Sequence, residues 1–319
     1  MTAPLRLGTR ASLLARTQSQ LVADLITDRL GIEVTLVEVS TTGDRASGPL
    51  SQLGGTGVFV SALRDALLAD EVDLCVHSLK DLPTGAADGI ALAAVPSRAD
   101  ARDVLVARDE LTLGELPAGS RVGTGSPRRA AQLHALGLGL EIVDIRGNVD
   151  TRLRKVADGE VDAVILARAG LERIGRTSVI TEMIDPLQML PAPGQGALAI
   201  ECRSADEVLA KDLCAALEDP HTRFAVEAER SLLATLEAGC AAPVGALAEV
   251  VEGDDGDELW IRAVALSPDG SLSIRNSHSG RTDDAAGVGR RLAEDLLADG
   301  ADQLISMTHT EPPARRQQA

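Results

Sequence analysis

The chain predicts an α/β protein of two hinged lobes followed by a small α+β C-terminal domain with a three-stranded antiparallel sheet. Three observations carry this. Short apolar strand patterns alternate with amphipathic helix patterns through the first two thirds of the chain, Pro/Gly-bearing breaks at 96–102 and 190–196 interrupt that alternation twice, and the last third changes to consecutive strands closed by a helix. At 319 residues the chain exceeds one ordinary core, so several domains follow from length. A hydrophobic share of 45% with 25% charged residues suits a globular protein and excludes a disordered one.

Leu5 to Thr9 reads as a strand, Ser12 to Leu30 as an amphipathic helix capped by Ser12, and Glu33 to Ser40 as a second strand, a β-α-β opening. Residues 41–57, rich in Gly, Ser and Thr, read as a long loop of the kind kept for function. Phe59 to Ala69 resumes as helix. A buried strand at Asp73 to Val76 runs into a turn at Ser78 to Asp81, and Ile90 to Val95 adds another strand. Beyond the crossing at Pro96 to Arg102, strands are expected at Val104 to Ala107, Arg121 to Gly123, Glu141 to Ile145 and Val161 to Leu166, alternating with helices. After the break LPAPGQG, the apolar Ala197 to Glu201 is expected to return to the first unit, and two crossings make a hinge. The stretch 205–238 reads as helical throughout, 244–252, 258–267 and 271–279 as strands, 283–299 as a helix, and EPPARRQQA as a frayed tail. The expected domains are 1–98 plus 197–216, then 99–196, then 217–319.

A net charge of -17 repels nucleic acid and anionic membranes, and an aromatic share of 1% (Trp260, Phe59, Phe224) leaves no platform on which bases could stack. Positive charge must act locally. Lysines occur only at 80, 155 and 211, so it rests mostly on Arg, whose fork suits carboxylates. The start, MTAPLRLGTRASLLA, has no basic-then-apolar signal, and no later run reaches the ~18 apolar residues of a span, so a cytoplasmic protein is expected. Cys75, Cys202, Cys214 and Cys240 show no CxxC spacing, and neither disulfides nor a metal site is expected.

VGTGSPRRAAQL at 122–133 places Thr124 and Ser126 at a strand-to-helix junction, with Pro127 near the first helical position and Arg128 and Arg129 in the first turn. Backbone NH groups, hydroxyls and guanidinium groups would there converge on an anion, although a well-capped surface helix gives the same pattern. Cations in a first turn oppose the helix dipole, which favours the ligand reading. DIRGNVDTRLRK at 144–155 repeats the arrangement with Arg146, Gly147 and Arg152. Arg10 follows the first strand and Arg173 a helical turn. Ligands in open α/β sheets gather at the carboxyl ends of strands, so the recurring position implies a polyanionic ligand. VHSLKDLP at 76–83 puts Ser78, Lys80 and Asp81 in one turn, either as a carboxylate able to stabilise a cation and pass a proton or as a cap with a local ion pair. His77 reads as a packing residue. Cys240, in the Gly/Pro turn of EAGCAAPVG, is the thiol placed to react, whereas Cys75, Cys202 and Cys214 read as small core hydrophobes.

In order and spacing, GTRAS, TTGDR, GVFVSAL, VHSLKDLP, VGTGSPRRAAQL, IRGNVDTRL, DAVILARAGLERIG, LPAPGQGALAIECR and LEAGCAAPVG resemble the porphobilinogen deaminase (hydroxymethylbilane synthase) family over nearly the whole chain. The resemblance implies two periplasmic-binding-protein-like (type II) lobes. It implies a transferase of tetrapyrrole biosynthesis that joins four porphobilinogens head to tail with loss of ammonia and releases hydroxymethylbilane by hydrolysis. It further implies a dipyrromethane cofactor bound through a thioether to Cys240, Asp81 as the catalytic carboxylate, and Arg10, Lys80, Arg128, Arg129, Arg146, Arg152 and Arg173 binding acetate and propionate groups. Ser78, Thr124, Ser126 and Gly147 complete the implied binding set, 41–57 is implied as a lid, and a monomer is expected. Thr42 and Gly125 depart from the family's usual Lys and Ser. The competing reading is a two-lobed carboxylate-binding protein without chemistry, which shares the fold and the Arg sites but gives Asp81 and Cys240 no task.

Overall fold

The computed structural model describes residues 4–39, 57–239, 242–253 and 256–307. Of the lid expected at 41–57, all but Gly57 lies outside the described residues, Thr42 included, as do Cys240, the expected cofactor anchor, and the terminal tail.

The first sheet has the order β2-β1-β3-β10-β4. Here β1 (Leu5–Thr9) lies between parallel β2 (Val34–Glu38) and β3 (Leu74–Ser78), while β10 (Leu198–Arg203) runs antiparallel between β3 and β4 (Ile90–Ala94). The second sheet, β7-β6-β8-β5-β9, repeats this position by position. Its β6 (Arg121–Gly123) is parallel to β7 (Glu141–Val143) and β8 (Ala163–Ala167), and β5 (Asp103–Ala107) is antiparallel to β8 and to β9 (Glu182–Met183). In each sheet the antiparallel fourth strand is the one the chain enters after crossing from the other lobe. The fold is therefore α/β with two lobes of type II connectivity, and the return of 197–201 to the first unit is observed in β10.

Both sheets are covered on both faces, which is why their strands read as continuous apolar runs. Along β5 and β8, Leu105, Ala107, Ala163 and Ile165 pack into one core, and Val104, Val106, Val164 and Leu166, alternating with them, pack into the other. In the first lobe α1 (Leu13–Leu30), capped by Ser12 accepting from the Ala15 NH at 3.3 Å, buries Val22 and Ile26 against Leu7, Leu74 and Val76. On the other face α2 (Gly57–Leu68) sets Leu63 and Leu67 against Cys75.

The third unit is an antiparallel sheet of β11 (Val244–Gly253), β12 (Gly256–Leu266) and β13 (Ser273–Arg281). The helices Pro220–Thr235, Ala285–Ala298 and Ala301–Ser306 pack on its buried face, and the first two approach so closely that a Cβ at Gly289 would lie 2.0 Å from the Ala228 carbonyl oxygen. The opposite face carries the exposed Trp260, with the Arg262 guanidinium 5.2 Å from its ring centre.

Three expectations change. The helical stretch 205–238 is two helices, Glu207–Leu217 and Pro220–Thr235. Pro220 has no NH to continue the first and starts the second, which Asp219 caps by accepting from the Thr222 NH at 2.7 Å. Cys214 is exposed rather than a core residue, because Leu213 and Leu217 take the buried face of its helix. The strand β9 and the final helix Ala301–Ser306 were not expected, being too short to show a period.

Candidate active site

The buried strand β3 ends at Ser78, and one 3-10 turn at Leu79–Asp81 follows. Leu79 is buried and its NH donates to the Ala197 carbonyl at 3.0 Å, which pins the turn and leaves Lys80 and Asp81 half-buried at the carboxyl end of the sheet. Ser78 Oγ accepts from Gln18 Nε2 of α1 at 3.0 Å. Beneath the turn, Glu201 of β10 accepts a forked pair from Arg64 at 2.9 and 2.6 Å, and its Oε2 lies 3.2 Å from His77 Nε2. Burial opposes the charge on Glu201, yet the bonds from Arg64 and His77 hold its carboxyl down at about 2. His77 is thus a buried packing residue beside the Glu201 carboxylate. Burial pushes the Cys75 thiol in the same strand up to about 12, which makes it inert.

Across the hinge, Thr124 leaves β6 and its Oγ1 accepts from the Ser126 NH at 3.2 Å; Ser126 Oγ then caps α3 (Pro127–Ala135), accepting from the Arg129 NH at 3.5 Å. An accepting hydroxyl keeps its own proton to donate. Arg128 and Arg129, in the first turn, are buried. Both close on Asp103 at the start of β5, Arg128 Nη2 at 2.7 Å from Oδ2 and Arg129 Nη2 at 2.8 Å from Oδ1. Arg129 also donates to the Ile165 carbonyl at 3.0 Å and Arg128 to that of Leu190. Burial works against the Asp103 charge, but the two guanidinium groups hold its carboxyl far below the usual range.

One carboxylate for two arginines leaves the cluster cationic, and its neighbours respond. Burial first, then repulsion by Arg129, pushes Lys80 down to about 8. Burial, then Arg129 and Arg146, draws Arg152 below its ordinary value, and burial alone does so for Arg173. The Nε atoms of Arg128 and Arg129 are buried and have no hydrogen-bond partner among the described residues. Such a set fits a group bearing several carboxylates, as a dipyrromethane with two acid side chains on each ring does.

The remaining candidates are spread over both lobes. Arg10 follows β1 and is half-buried. Arg173 ends the short helix Arg168–Arg173 and donates to the Gly196 carbonyl at 2.6 Å, across the second crossing. Arg152 Nε donates to the Gly147 carbonyl at 2.9 Å. Gly147 has φ +109, and a Cβ on it would meet Thr151 Cγ2 at 2.7 Å, so only glycine lets the chain turn into the helix Val149–Ala157. Arg146 is exposed, 3.3 Å from Asp144, and with Arg121 and Lys155 lines a cleft of about 380 Å³. Asp103, Gln18 and Gln195 were not among the residues picked from sequence. Asp103 heads an apolar strand like any flanking carboxylate, and only the fold shows what it faces.

Residues 5–211 match the family model described as porphobilinogen deaminase, dipyromethane cofactor binding domain, and 223–298 match porphobilinogen deaminase, C-terminal domain. The chain belongs to the porphobilinogen deaminase family. Porphobilinogen deaminase of Nocardia farcinica is 58% identical over 98% of this chain and 91% of its own length, and that of Thermobifida fusca 54% identical over 96% and 97%. Among solved structures, an ABC transporter periplasmic substrate-binding protein of Coxiella burnetii aligns over 68% of this chain and 92% of its own at 15% identity, with a TM-score of 0.44. The cofactor-binding match covers both lobes and hence the cation cluster between them. Among the described residues no helix is long and apolar enough to cross a membrane, and no cluster of His, Cys, Asp and Glu could hold a metal ion.

Proposed function

We propose that the chain condenses four porphobilinogens head to tail with loss of ammonia and releases hydroxymethylbilane by hydrolysis, acting as a cytosolic monomer with Asp81 as its catalytic carboxylate and Cys240 as its cofactor anchor. The observation that carries this is the cation excess between the lobes, half-buried Lys80 with buried Arg128 and Arg129 against the carboxylates of Asp103 and Asp81. When bound through Cys240, dipyrromethane supplies the pyrrole α-carbon that the first substrate unit joins.

The chain's own residues do the rest. Asp81, beside Lys80 on a turn anchored by Leu79, accepts from substrate pyrrole NH groups, stabilises the positive charge that grows on the ring as the amine leaves, and passes a proton to that amine. Lys80, Arg128, Arg129, Arg152 and Arg173, with Arg10 and Arg146 at the margins, bind acetate and propionate groups. Each unit added brings two carboxylates into one cleft, so the same cations must be used repeatedly. Ser78, Thr124 and Ser126 donate hydrogen bonds to those groups, and Gly147, lacking a side chain, lets backbone approach them.

The deciding experiment is the intact mass of the purified protein beside a Cys240→Ser variant. An added mass of two linked pyrroles, absent from the variant, is expected. An unmodified chain that takes up no pyrrole from porphobilinogen would overturn the reading and favour a carboxylate-binding protein.

A further inference from the structure

Gln195 lies on the second crossing between the lobes and is 1% exposed. Its Nε2 donates to the Ala101 carbonyl at 2.7 Å and to Asp103 Oδ1 at 2.8 Å, while its Oε1 accepts from Lys80 Nζ at 3.2 Å. The neighbours fix this orientation, since a carbonyl and a carboxylate need donors and an ammonium needs an acceptor. The backbone is held as firmly, with the Gln195 NH donating to the Ala192 carbonyl at 2.9 Å and Arg98 Nε donating to the Gln195 carbonyl at 2.8 Å. One carboxamide therefore bridges the turn that carries Asp81 on the first lobe and the carboxylate that gathers Arg128 and Arg129 on the second.

The charges around Lys80 explain why a neutral bridge is needed. Asp81 on its own turn and Asp103 on β5 attract the ammonium, while Arg128 and Arg129 on α3 repel it and burial disfavours it. Left to these forces the flexible lysine would swing away from the arginines, and a carboxylate in place of the carboxamide would add a negative charge that a substrate carboxylate must then displace.

We propose that Gln195 is a positioning residue: its carboxamide couples Lys80 to the Asp103–Arg128–Arg129 cluster, so that cations from both lobes meet a substrate carboxylate as one preformed set. This rests on the assignment of Lys80 and the two arginines to carboxylate binding made above. Its test has a readout independent of that assignment, because the chain has only three lysines, Lys80, Lys155 and Lys211, and Lys211, with its side chain 79% exposed, serves as an internal reference.

The experiment is trace acetylation of the full-length purified protein with acetic anhydride from neutral to alkaline pH, the Lys80-to-Lys211 ratio being read by peptide mass spectrometry. Wild type is compared with Gln195→Leu and Gln195→Met, which keep the volume and lose the amide. Loss of the acceptor removes a bond that stabilises the ammonium and favours the neutral amine, so the ratio at neutral pH is expected to rise about tenfold in both variants and its titration midpoint to fall. In parallel, KM for porphobilinogen is expected to rise about tenfold with kcat within about twofold, the pattern of a lost binding contact. A merely structural residue would lower the melting temperature and leave the labelling ratio alone. Wild-type Lys80 that labels as fast as Lys211, or variants with an unchanged ratio, would overturn the proposal. So would failure of both variants to fold, which would make Gln195 a requirement of the fold. Absence of the Cys240-linked mass would instead overturn the proposed function while the labelling result stood.

Discussion

Asp103 shows how much one buried side chain can decide. It is fully buried, accepts from Arg128, Arg129 and Gln195, and is the acid that lets two guanidinium groups sit side by side. Asp103→Asn would leave both arginines without a counter-charge and is expected to destabilise the protein by about 3–5 kcal/mol, read by urea unfolding. The sign with pH follows. A carboxyl whose folded pKa lies below its unfolded one contributes stability above about 3.9 that is lost as pH falls through the folded value, so the variant should also show a shallower acid limb. Asp81 predicts the opposite combination. It is half-buried on a turn held by Leu79, and Asp81→Ala should keep the melting temperature and lower the rate of bilane formation at least about 100-fold. A variant with near-normal turnover would remove Asp81 from the chemistry.

Among the elements, the strand pair β3–β10 supports the Leu79–Asp81 turn through Glu201, whose carboxyl is held at about 2 against a usual 4.5. By the same linkage it contributes on the order of 3 kcal/mol above pH 4.5, lost progressively as pH falls toward 2. Glu201→Gln should therefore be less stable near neutrality and flatter over that window in a pH series of unfolding curves. The helix starts make a smaller, local prediction. Ser126→Ala removes the oxygen that caps α3 and is expected to destabilise by about 1 kcal/mol. These helix starts were legible in the sequence because a Ser or Asn cap, a Pro at the first position and the following apolar period are local signals. The break at Pro220 was equally local, but an unbroken apolar period on both sides concealed it.

For the molecule as a whole, the three units meet at Glu229, which is fully buried. Arg98 of the first crossing grips it with a fork at 2.7 and 3.1 Å, the Gly194 NH of the second crossing donates to it at 2.5 Å, and the Ala248 NH of the third sheet at 2.8 Å. Glu229→Ala would strand Arg98 and two backbone donors, at about 3–5 kcal/mol. Trp260, the chain's one tryptophan, lies in the C-terminal sheet and reports that unit alone. Its fluorescence transition is expected to coincide with the far-ultraviolet circular dichroism transition in wild type and to precede it in the variant. Coincidence in both would deny Glu229 this role.

By itself the sequence determined most strands and helices of the two lobes, their two crossings and the third unit, and it nominated residues for the chemistry, because period, caps, breaks and motif order are written in neighbouring positions; the two-residue β9 and the break at Pro220 escaped it. Only the tertiary structure decided which charges oppose which. Asp103 and Gln195 lie 25 and 67 residues from Arg128, Lys80 lies 115 from Gln195, and Glu229 joins segments 131 and 35 residues away. A buried carboxylate and one on a surface strand have the same local pattern. What separates them is desolvation, which depends on everything the fold packs around them.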